Sequence, residues 1–254
     1  MPHLLVERLR SFPEVGACTV RKREECPHGA YIIEVLDILA GIVFIIGSVC
    51  FHPKYSQHLD FFLLGCTLFV FGGVIYVVIC MITLAEAVLE KGWHSFEAWE
   101  NMLYTVGSWV FLAGTVLYWP EKAKWEYMEL IKEYSLGQYF EMFSEELEGA
   151  LLFIVGSVMF AAAAFTNALN QRKYDDDASR ILTAVTSLYF AGSTLFIMGS
   201  IAFLPDLGCN EKMVSIGAWL FIIGSIFFTI GAVLSLCRTV QVMDKHVERQ
   251  PLAT

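Results

Sequence analysis

Charge is scarce in this chain, and positive charge is scarcer still. Of 254 residues only 17 % are Asp, Glu, Lys or Arg, and 17 basic residues face 26 acidic ones, a formal net charge of −9. Soluble domains carry about 25 % charged residues, so an ordinary aqueous globule is excluded. With no basic stripe, a nucleic-acid partner is excluded as well. Histidine is missing from every long apolar run, which removes the facing pair that usually holds a membrane haem. Seven cysteines include no Cys-x-x-Cys. Cys50, Cys66, Cys80 and Cys237 fall in apolar runs and read as small hydrophobes, while Cys18, Cys26 and His28 have a spacing specific to no metal or disulfide. There is no Gly-rich phosphate loop, no Ser/His/Asp arrangement and no His-Glu-x-x-His. The expectation is a protein that is not an enzyme, with no cofactor and no metal. Residues 1–30 place no apolar core after Arg8 and Arg10 and are too rich in Glu for a transit peptide, so the first apolar run is expected to act as the insertion signal.

What the chain has in excess is hydrophobic residues, 56 %, gathered in runs of bilayer-crossing length. Six spans are expected: Tyr31–Phe51, Leu59–Leu84, Met102–Trp119, Leu147–Leu169, Ile181–Leu204 and Met213–Leu236. These runs are apolar throughout and lack the alternation of barrel strands. The expected fold is an all-α polytopic membrane protein. Its six transmembrane helices form three antiparallel hairpin repeats, with an amphipathic surface helical insert. The expected organisation is an N-terminal segment 1–30, hairpin 31–90, hairpin 101–170 with the surface insert at 121–146, hairpin 179–238 and a tail 239–254.

One pattern, [Leu/Val]-Phe-x-x-Gly-[Ser/Thr/Gly]-x-x-[Phe/Tyr], recurs in every span, with its glycine at Gly47, Gly72, Gly114, Gly156, Gly199 and Gly224. The first, third and fifth copies are followed six residues after the glycine by Pro53, Pro120 and Pro205; the others are not. Proline stops a helix, so odd spans end soon after the motif and even spans run on. Gly47 to Gly72 and Gly199 to Gly224 are each 25 residues apart, but Gly114 to Gly156 is 42. The difference is the insert. There Trp125, Tyr134 and Tyr139 suit a helix lying at the membrane surface, a possible lipid or partner face.

A second small residue stands seven before each motif glycine: Ala40, Gly65, Gly107, Gly149, Gly192 and Gly217. Small residue, Phe, Gly and Phe/Tyr then fall at −7, −3, 0 and +4, one stripe of a helix. In lipid, helices associate by close packing, which small residues permit. Eleven seam glycines, each costing about 1 kcal/mol in a helix, are expected to return backbone contact. Antiparallel neighbours should bring small residue level with small residue and Phe level with Phe. The hydroxyl after the glycine should mostly bond the carbonyl one turn back.

The tandem Leu-Phe-x-x-Gly-Ser-x-x-Phe pattern in paired membrane helices resembles the YrhK-like domain family, over all three hairpins, roughly residues 31–238. The resemblance implies small integral membrane domains without an assigned reaction, so no catalytic residue is carried over. Three hairpins and an acidic, aromatic insert depart from a single short domain, and suggest fusion of units that would otherwise oligomerise.

Basic residues set the expected orientation. Both tails and the second and fourth loops hold 12 Lys/Arg against five in the other loops, which puts both termini on the cytoplasmic, matrix or stromal side. Three carboxylates near span ends, Glu34, Asp37 and Glu86, are read first as headgroup-zone residues, and alternatively as an ion or proton site. Asp37 stands ten before Gly47, where the other copies have Phe62, Tyr104, Glu146, Tyr189 and Val214. No buried polar array is otherwise expected. The expected function is a structural or accessory subunit in a lipid bilayer, alongside other membrane subunits or copies of itself. The alternatives are a small-solute or ion transporter using Asp37 and Glu86, and a lipid-binding or membrane-shaping protein.

Overall fold

Proline and glycine decide where the helices break. In a computed structural model of the chain, residues 27–119, 136–171, 177–204 and 211–249 are described. Among them lie seven helices: α1 Pro27–Cys50, the short α2 Pro53–Ser56, α3 Leu59–Lys91, α4 Phe96–Leu117, α5 Leu136–Gln171, α6 Asp177–Ala202 and α7 Glu211–Arg249. Helices α1, α4 and α6 each end three residues past their motif glycine, whereas α3, α5 and α7 continue well beyond theirs. Pro53 opens α2, where its missing N–H costs nothing, and the His52 ring accepts from Lys54 N. Between α3 and α4 the chain turns at Gly92, whose φ of 80° suits only glycine comfortably. Ser95 caps α4 by accepting from Ala98 N at 3.1 Å, and Lys91 pairs with Glu97 at 2.7 Å across the turn.

Five helices are long and apolar enough to cross a membrane, over Tyr31–Cys50, Leu59–Lys91, Leu147–Leu169, Arg180–Ala202 and Lys212–Gln241. The expected span Met102–Trp119 is not among them. Its helix, α4, forms, but it stops at Leu117, so any stretch of it long enough to cross a membrane includes the polar Glu100 and Asn101. Two boundaries also move. Helix α5 begins at Leu136, so Tyr139 belongs to its first turns, while Trp125 and Tyr134 lie outside the described residues. Most of the expected tail continues α7, which stops two residues before Pro251.

Each long helix packs on the long helices before and after it, and α7 returns to α1, so six helices close a ring. Neighbours run antiparallel with the glycines in the contacts. A Cβ added at Gly107 would stand 3.2 Å from the Gly156 carbonyl oxygen, and one at Gly114 only 2.9 Å from that of Gly149. A Cβ at Gly192 would stand 3.1 Å from the Gly224 carbonyl oxygen, and one at Gly199 3.2 Å from that of Gly217. In the first pair, Gly65 meets the Gly47 carbonyl at 3.2 Å and Gly72 meets the Phe44 ring. The six motif phenylalanines, Phe44, Phe69, Phe111, Phe153, Phe196 and Phe221, meet in one buried cluster along the axis. The closest rings are Phe111 and Phe153, with centroids 4.6 Å apart, edge to face. The outer face is apolar: on α1 it presents Ile32, Val35, Leu39, Ile42, Ile46 and Val49.

Candidate functional site

Beyond the phenylalanine layer the register of the repeat produces a second layer of different chemistry. Positions ten before the motif glycine on α1, α4 and α6 are Asp37, Tyr104 and Tyr189; positions four after it on α3, α5 and α7 are Tyr76, Phe160 and Phe228. Because neighbours are antiparallel, these six residues come level and line one cavity inside the ring. Its free volume is about 30 Å³. That holds roughly two water-sized molecules. Rings from both layers supply most of the wall, and Ser108 and Ser157 supply hydroxyls.

Asp37 is the acidic member of this wall and is 2 % exposed. The Tyr189 hydroxyl donates to its Oδ2 at 2.7 Å. Tyr76 is turned toward the same carboxylate. Asp37 Oδ1 has no hydrogen-bond partner among the described residues. Ser157 is equally exceptional. In four other copies the hydroxyl after the motif glycine donates to the carbonyl one turn back: Ser48 to Phe44 at 2.7 Å, Thr115 to Phe111 at 3.1 Å, and Ser200 to Phe196 and Ser225 to Phe221, both at 2.8 Å. Ser157, 1 % exposed, has no partner for its Oγ among the described residues and borders the cavity instead.

A second carboxylate lies one helical turn from Asp37. Glu34, 1 % exposed, accepts from Thr239 at 3.0 Å and Ser235 at 3.3 Å, both through Oε1, which ties α1 to α7. Arg238, between those two residues, is the largest fully buried side chain among those described. On the far side of the ring Glu100 of α4 is buried beside Asn167 of α5, and Asn101 donates to the Glu97 carbonyl at 2.7 Å. Thr105 donates to the Asn101 carbonyl at 2.8 Å and lies 3.1 Å from that of Cys80. These groups overturn the expectation that no polar array is buried. By position Glu100, Asn101, Asn167 and Arg238 look like helix-end residues; closing the ring turns them inward.

The structure separates the three expected carboxylates. Glu34 and Asp37 belong to this end of the ring. Glu86 is half-buried on α3 and does not line the cavity. The contributions of Tyr76 and Ser157 were not singled out from the sequence, although the register that aligns Tyr104 and Tyr189 with Asp37 was visible there.

The YrhK-like protein family model matches residues 31–88 and 180–240. These two stretches are similar to the YrhK-like family. They comprise the first and last antiparallel pairs, both with 25-residue glycine spacing. The middle pair, with its 42-residue spacing and polar α4, lies outside the matched residues. No curated protein and no solved structure matches the chain.

Proposed function

We propose that all six long helices cross the bilayer as three tandem copies of one antiparallel hairpin, and that the protein is a non-catalytic structural or accessory subunit of a larger membrane assembly. In this reading α4 and α5 are a diverged middle copy of the YrhK-like unit, enlarged by the insert. Both termini lie on the more basic side, cytoplasmic, matrix or stromal.

The observation that carries the reading is the filled axis. Six phenylalanines occupy the middle of the ring with ring-to-ring contacts on every side, so the polar chamber ends blindly against them. A conducting protein needs a wetted path; this one invests its axis in packing. The seams are also spent within the chain, which leaves the outer apolar faces for lipid or for another subunit.

Extraction in mild detergent and determination of the particle mass test the reading. The expected result is a particle containing more protein than one 28.6 kDa chain. A lone monomer without a partner would overturn it. The transport alternative is favoured by the buried Asp37 and is tested separately: solute or ion flux in liposomes that disappears on Asp37→Asn would replace the subunit reading.

A further inference from the structure

Asp37 and Ser157 border the same small cavity, and each has a buried oxygen without a partner among the described residues. Asp37 Oδ1 is an acceptor, and Ser157 Oγ both accepts and donates. Tyr189 already occupies Asp37 Oδ2 at 2.7 Å. Eight of the twelve residues lining the cavity are aromatic: Phe44, Tyr76, Tyr104, Phe111, Phe160, Tyr189, Phe196 and Phe228. We propose that this chamber is a binding site for a small protonated amine, ammonium or methylammonium in size.

Three properties select that chemistry. The carboxylate repels anions, and burying it without a counter-charge is unfavourable by several kcal/mol. A neutral apolar occupant would leave both Oδ1 and Oγ unsatisfied, each at a cost of about 1–3 kcal/mol. A cation with N–H groups is a donor that suits either oxygen. The rings then present their negative faces to the rest of the charge, the usual means of holding an ammonium in a dry site. Size supplies the upper limit: about 30 Å³ of free volume admits one or two heavy atoms and excludes lipid-sized amines.

The repeat shows that this site departs from the common pattern. At the register of Asp37, the equivalent positions on α4 and α6 are Tyr104 and Tyr189, so one carboxylate replaces the third phenol of a threefold arrangement. Ser157 alone among the hydroxyls after the motif glycine keeps its Oγ free of a hydrogen bond among the described residues. Both departures point at one cavity. Glu34, a turn away on α1, also has its Oε2 unsatisfied among the described residues, but it bonds α7 and does not line the cavity.

The test is equilibrium binding of radiolabelled methylammonium to the full chain in detergent, with ammonium, potassium and sodium as competitors. The wild type is expected to bind saturably at one site per chain, and ammonium is expected to compete better than potassium or sodium. Asp37→Asn keeps the shape and removes the charge; it is expected to weaken binding about tenfold or more. Ser157→Ala is expected to weaken it about threefold with the melting temperature unchanged or slightly raised. Glu86→Gln, outside the cavity, is expected to bind as the wild type does. If Asp37→Asn does not fold, Ser157→Ala and the competition series decide. Absence of saturable binding by the wild type, undiminished binding by a folded Asp37→Asn protein, or equal competition by potassium would each overturn the proposal.

Discussion

The two ends of the ring's interior are built on one register and filled differently. On one side of the phenylalanine layer stand Phe51, Tyr118 and Phe203, with Phe153 and Phe221 beneath them, and the remaining cavity is about 20 Å³. On the other stand Asp37, Tyr76, Tyr104 and Tyr189 with unsatisfied oxygens among them. At the first end α1, α4 and α6 all keep a ring four residues after the motif glycine. At the second, Asp37 stands where α4 and α6 have tyrosine, and the cavity is larger. Conformity to the repeat marks what holds the protein together, and departure from it marks where a ligand would sit.

The largest expected effect breaks the phenylalanine layer between the two ends. Phe111 touches the rings of Phe44, Phe69, Phe153, Phe160 and Phe196. Phe111→Ala is expected to cost about 3–5 kcal/mol, because the surrounding rings belong to helices fixed by glycine contacts and cannot collapse into the void. Phe160→Ala, at the edge of an existing chamber, is expected to cost less by about 1 kcal/mol or more. Thermal unfolding in one detergent measures both. Equal losses would mean that the phenylalanine layer and the outer chamber wall are not mechanically distinct.

A smaller effect sharpens the same contrast through two glycines. A Cβ at Gly114 would stand 2.9 Å from the Gly149 carbonyl oxygen and 3.2 Å from Phe153 N, both backbone atoms that cannot swing aside. Gly114→Ala is expected to cost about 1–3 kcal/mol. At Gly231, beside Tyr189, the nearest atom to a new Cβ is 3.4 Å away, ordinary contact. Gly231→Ala is expected to leave the melting temperature unchanged or slightly raised, since alanine favours the helix by about 1 kcal/mol.

Much of the packed end was legible in the sequence, because a repeat at fixed register states which residues share a helix face before any helix is placed. Phe44, Phe111 and Phe196 could be aligned with Phe69, Phe153 and Phe221 from spacing alone. The chamber was legible only in part. Asp37, Tyr104 and Tyr189 share a register position, but Tyr76 joins them only because the neighbouring helix runs the other way, at a depth set by the turns. Glu100, Asn101 and Arg238 sit near helix ends, where sequence cannot tell a residue facing headgroups from one turned into the ring. The match to the YrhK-like family separates the same way: it covers the two pairs with equal spacing and omits the enlarged one.

The interhelical polar bonds of the chamber end give the next effect. Glu34 Oε1 receives two hydroxyls from α7. Glu34→Ala removes the acceptor for both and is expected to cost about 1–2 kcal/mol, in line with hydrogen bonds between membrane helices. Glu34→Gln retains a carbonyl oxygen at that place and is expected to lose about half as much. A melting series of the two variants checks the order; if the glutamine variant falls as far as the alanine variant, the negative charge and not the acceptor geometry joins α1 to α7.

The smallest expected effect compares two serines at the same motif position. Ser48 donates to the Phe44 carbonyl at 2.7 Å and lies 3.3 Å from the Ser225 hydroxyl across the α1–α7 contact. Ser48→Ala forfeits a bond on a helix seam and is expected to cost about 0.5–1 kcal/mol. Ser157 makes no such bond among the described residues, so Ser157→Ala removes an unsatisfied buried hydroxyl and is expected to be neutral or mildly stabilising, by up to about 1 kcal/mol. Melting each variant with and without methylammonium separates structure from ligand: a stability loss on Ser157→Ala without amine would place that hydroxyl among the packing bonds, whereas a loss confined to the amine-bound protein would place it in the chamber's binding wall.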